Sequence, residues 1–134
     1  MKSDSLTIRA SGLDTLTTVL RDHYDESEVA SQSDNSRLVV LEKYYYGNNS
    51  HSLGVVLIKT IGDRTFHITI YAGGGRSGLF GIDHGSEEQF IDEVKKILLT
   101  AGEEITVNKE ELEADVAKAQ KYTPYSKPDQ KKKR

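Results

Sequence analysis

The sequence predicts an α+β domain: a mostly antiparallel sheet in the order β-α-β-β-β-α, with helices packed on one face and a peripheral C-terminal helix. Three observations carry this. Apolar and β-branched residues crowd into short runs at 37–46, 53–61 and 64–72; Gly62-Asp63 between the last two is a hairpin signal; and Phe90, Ile91, Val94, Ile97 and Leu98 recur at helical spacing.

From the N-terminus, Leu6, Ile8 and Ala10 alternate with Thr7 and Arg9, the period of a half-buried strand. Ser11, with Asp14 three residues on, supplies capping chemistry for a helix whose stripe is Leu13, Leu16 and Leu20 and which ends near Tyr24. Residues 25–36 hold only Val29 and Ala30 among polar neighbours, so apolar burial does not offset their ordering entropy and they read as a mobile loop. Strands at 37–46 and 53–61 follow, separated by the turn residues Gly47-Asn48-Asn49-Ser50.

Glycine at position 62 suits the positive φ of a type II′ turn, which pairs Ile61 with Arg64. That register sets Leu57 opposite Ile68 and Val55 opposite Ile70, so Val55, Leu57, Phe66, Ile68 and Ile70 share the core face. Val56, Ile58, His67, Thr69 and Tyr71 then fall on the other face, half apolar and without a predicted cover. Alternation also puts Tyr44 and Tyr46 on one face and Tyr45 on the other.

A capping box at Ser86 and Gln89 opens the second helix, and Gly102 stands where a left-handed C-cap residue belongs. Ile105 and Val107 fit either a short edge strand or a cover for the helix end. From residue 108 or 109 to Lys121 the chain is polar, with Leu112, Val116 and Ala119 on one stripe, and Pro124 and Pro128 follow. The chain thus reads as one domain over residues 1–121 with a basic, solvated tail at 122–134.

Composition narrows the function classes. There are no cysteines, which removes disulfides, thiolate metal sites and thiol chemistry; no metal or cofactor site is predicted. No apolar run approaches the roughly 20 residues of a membrane span and no signal-like segment opens the chain, so the expected location is the cytoplasm. In the tail, five cations against Asp129 give +4; with −3 overall, the body carries −7. Such a body repels phosphates, which leaves the tail as the one segment suited to nucleic-acid contact, near Tyr122 and Tyr125.

Two candidate sites emerge. The first is the half-apolar sheet face of Val56, Ile58, His67, Thr69 and Tyr71, suited to a second copy of the chain or a protein partner. The second is the glycine-rich segment 73–85, where amides of Gly74, Gly75 and Gly78 with Arg76 and His84 have the chemistry to hold an anion. Formally Gly73, Gly75 and Gly78 match G-x-G-x-x-G, but the helix begins about eight residues later than a dinucleotide-binding turn requires. Asp83, His84, Glu87 and Glu88 are a poor metal set with one histidine, and acids in a first helical turn are favoured by the helix dipole alone. A lone strand histidine such as His67 is ordinarily a hydrogen-bonding residue, so no catalytic residue is assigned. The sequence thus favours a non-enzymatic binding or assembly protein, with the anion site as the alternative.

Overall fold

The computed structural model describes residues 1–45, 50–74 and 86–106. The elements in chain order are β1 (Lys2–Ala10), α1 (Leu13–His23), β2 (Ser27–Ser33), β3 (Ser36–Tyr45), β4 (Ser50–Gly62), β5 (Thr65–Gly74), α2 (Ser86–Leu98) and β6 (Gly102–Glu104). All six strands form one antiparallel open sheet in the order β2-β3-β4-β5-β1-β6, so the fold with its two described helices is of the α+β class. The first strand, whose direction the sequence leaves open, runs antiparallel to β5, with Leu6 opposite Ile68 and Ile8 opposite Phe66.

Period-2 side chains from the strands and period-3.6 side chains from the helices meet in one buried cluster. Leu6, Ile8, Val39, Leu41, Val56, Ile58, Phe66, Ile68 and Ile70 come from the sheet; Leu16, Leu20, Phe90, Ile91, Val94 and Leu98 come from the helices. Ion pairs at the margin hold the helices to the same side: Lys95 with Asp4, Lys2 with Glu88 at 3.4 Å, and Arg37 with Asp14 at 3.0 Å.

Four expectations change. Residues 27–33 are not loop but the edge strand β2. Backbone pairing with β3 holds it, Val29 packs against the core, and apart from the small Ala30 the rest is polar because an edge strand needs no second apolar side. A register shift between Val29 and Ser31 bends this edge, which blunts it as a template for stray strands.

The β4-β5 hairpin is one residue out of the predicted register. Gly62 pairs with Thr65, the turn is Asp63-Arg64 with Arg64 at φ 53°, and a bulge falls between Thr60 and Gly62. Ile58 therefore lies opposite Ile68 and Val56 opposite Ile70. Because the side-chain period is 2, that single residue moves the whole of β4 over: Val56 and Ile58 are core at 0% exposure, and Val55 and Leu57 take the second face.

Gly102 is not a left-handed cap, since its φ lies outside that region; it opens β6 opposite Ala10. A Cβ there would collide with Ile8 Cγ2 and sit 2.8 Å from the Arg9 carbonyl oxygen, so close approach to β1 is what requires glycine. Ser11 does not cap α1: the N-cap position is Gly12, and the Ser11 hydroxyl instead lies 2.8 Å from that of Thr15.

Gly54 has a different task. It faces the core between Leu41 and Ala72, and a Cβ at this position would stand 2.8 Å from Phe90 Cε2. The Phe90 ring is itself buried and packed edge-on to Tyr24 at 5.6 Å. Gly54→Ala should therefore cost about 1–3 kcal/mol by overpacking. Denaturant midpoints should show a smaller cost in a Phe90→Leu background, where the ring is gone.

Candidate functional site

The second face of the sheet is built from alternate residues of β3, β4, β5 and β1, aligned in cross-strand rows. Leu38, Leu57, Thr69 and Ser5 form one row; Val40, Val55, Tyr71 and Ser3 form the next. Glu42 and Leu53 continue the face toward one end, followed by Tyr44 and His51; Ser36, Lys59, His67 and Thr7 lie at the other. Leu38, Val40, Val55 and Leu57 are half-buried against one another, while Leu53 at 46% and Tyr71 at 38% are among the most exposed large apolar residues described. Their neighbours at the margin, Ser3, Ser5, Glu28, Ser31 and Glu42, are polar and exposed. The face thus has an apolar centre and a polar, exposed margin.

Of the residues predicted for this face, His67, Thr69 and Tyr71 lie on it together, and Val56 and Ile58 do not, for the register reason above. Sequence reasoning missed Leu38, Val40, Val55 and Leu57. The runs Leu38-Val39-Val40-Leu41 and Val55-Val56-Leu57-Ile58 are apolar on both parities, so periodicity alone marks neither face. The remaining candidates, Gly75, Arg76, Gly78 and His84, lie outside the described residues, as do Tyr46, residues 107–134 and the side chain of Ser86; of Gly74 only its place at the end of β5 is described.

His67 is half-buried beside the Thr7 hydroxyl, with Nδ1 3.5 Å from Oγ1, and opposite Lys59 in β4. Burial, helped by the Lys59 charge, holds its pKa below the usual histidine value of 6.5. The folded state thus takes up the proton less readily than the unfolded one, so stability is greatest above pH 6.5 and falls as pH drops from there through the depressed folded value. His67→Gln should flatten the pH dependence of the denaturation midpoint across that interval. The Asp4 carboxyl, held below its ordinary value chiefly by Lys95, acts only at lower pH, where its contribution is lost as pH falls below 3.8 through the folded value.

At Tyr44 the ring of His51 stacks edge-on at 4.8 Å, and His51 Nδ1 lies 3.1 Å from Glu42 Oε2. On the core side of the same end, the Tyr24 hydroxyl donates to Glu93 at 2.8 Å and Lys43 Nζ reaches both Glu93 oxygens at 2.8 and 2.9 Å. This network joins α1, β3 and α2, a bracing role. Beside it Ser52, 1% exposed and opposite Lys43, has no hydrogen-bond partner for its hydroxyl among the described residues.

Among the described residues no group of three His, Asp or Glu side chains is placed to hold a metal ion. No described helix is long and apolar enough to cross a membrane. Grooves lined by described residues run along α1 from Asp14 to Asp22 and between β1 and α2 over Lys2, Asp4 and Glu88; neither includes a histidine or a cluster of apolar side chains suited to a small organic ligand.

No curated protein and no solved structure matches the chain. A family model does match, over residues 17–102, which run from within α1 through β2, β3, β4, β5 and α2 to the first residue of β6. The chain therefore belongs to DUF6054, a family of unknown function.

Proposed function

We infer that this protein is a non-enzymatic binding or assembly module that holds a protein partner on the second face of its sheet, with the helices covering the first. The observation that supports this reading is the run of apolar side chains across three neighbouring strands, Leu38, Val40, Leu53, Val55, Leu57 and Tyr71, which the core does not use. Water against so continuous an apolar surface is unfavourable, and single-domain proteins ordinarily keep such patches small or cover them with a partner. His67 and Thr69 add hydrogen-bonding groups beside Tyr71 that give a partner orientation as well as affinity.

The absence of cysteine makes this testable with one substitution. Leu57→Cys creates a unique thiol in the middle of the face. In dilute solution it should react with a maleimide at a rate near that of a free thiol, with the fold unchanged by circular dichroism. Slow reaction at every concentration from a monomeric protein would overturn the reading, because the face would then be filled from within.

A further inference from the structure

We propose that the partner on this face is a second copy of the chain, stacked sheet to sheet about a two-fold axis that lies in the interface and runs across the strands. The proposal rests on the binding reading above and adds the identity and orientation of the partner. Its basis is the way charge is laid out around the apolar centre.

Along β4 the face runs Lys59, Leu57, Val55, Leu53; along β3 it runs Ser36, Leu38, Val40, Glu42. One end of the face is therefore basic at Lys59, and His67 beside it adds no negative charge. The other end is acidic at Glu42, whose carboxylate also meets His51 Nδ1 at 3.1 Å, with Glu28 alongside in β2 opposite Val40. Lys59 and Glu42 stand six residues apart along the paired strands, roughly 20 Å at strand rise.

A symmetric pair must bring the same patch on both chains together. If the axis ran along the strands, the Lys59 end of each copy would lie over the Lys59 end of the other, and the Glu42 end over the Glu42 end. With the axis across the strands the ends exchange: Lys59 of each copy comes over the row of Leu53 and Glu42 in the other. Leu57 then lies over Val55 and Leu38 over Val40, a match of branched aliphatic side chains at the spacing of two packed sheets. Two opposite-charge contacts form per dimer and no like-charge contact does. Charge thus selects one of the two symmetric stackings, and the apolar rows fit that one.

Sedimentation equilibrium of the full chain should give twice the chain mass at micromolar concentration, and the Leu57→Cys thiol should become protected over the same concentration range. Lys59→Glu and Glu42→Lys should each weaken the dimer about tenfold, since each reverses two contacts. The double exchange should restore the affinity to within about threefold. A monomer with a reactive thiol at all concentrations would overturn the second copy while leaving the face free for another partner. A monomer with a protected thiol that deletion of residues 107–134 exposes would overturn it in favour of the chain's own C-terminal segment. A dimer that the double exchange fails to restore would overturn the stacking proposed here.

Discussion

Ile58→Asp should leave the protein unfolded at room temperature, whereas Leu57→Asp, one residue away, should leave it folded. Ile58 is fully buried between Arg37 and Ile68, so a carboxylate there has no water and must either ionise at great cost or stay protonated and unpaired. Either way the loss is about 4–5 kcal/mol or more, comparable with the entire stability of a small domain at the lower end of its range. Leu57 lies on the second face, half-buried beside Thr69, where a carboxylate keeps solvent on one side. Its cost to a monomer should be about 1 kcal/mol, and its main effect should be on association. Circular dichroism with urea titration checks both. A reversed order, Leu57→Asp unfolded and Ile58→Asp tolerated, would mean that the hairpin pairs Ile61 with Arg64 after all.

Ile68→Ala and Leu98→Ala should each lower stability by about 2–5 kcal/mol, the range for truncating a fully buried aliphatic side chain and leaving its space unfilled. Both residues are at 0% exposure, one on the core face of β5 and the other in the last turn of α2, in a single buried cluster. Leu99, the next residue, is 36% exposed, so Leu99→Ala should cost well under about 1 kcal/mol. Denaturant midpoints across the three variants measure how deeply α2 is seated. Neutrality of Leu98→Ala would mean that the helix packs elsewhere, and the assignment of the two sheet faces would go with it.

The sequence by itself determined the elements whose pattern has one period and one answer. Helix α2 is legible because Phe90, Ile91, Val94, Ile97 and Leu98 select a single stripe, and all are buried. Strand β5 is legible because Phe66, Ile68 and Ile70 alternate with His67, Thr69 and Tyr71, so the second set is placed on the open side from the residues alone. Tertiary structure alone decided three things. The face taken by each residue of β4 depends on one extra residue in a bulge near Ile61, and a strand apolar on both parities holds no local record of that choice. Strand β2 exists through backbone hydrogen bonds to β3, which side-chain hydrophobicity does not register. Gly102 is required by the nearness of Ile8 and Arg9, about ninety residues earlier in the chain, where a local reading sees only the end of a helix. The candidate site sits where the first of these operates. Its β5 half could be read from the chain, and its β3 and β4 half appeared only when the strands were paired, because register is a property of two strands and not of either one.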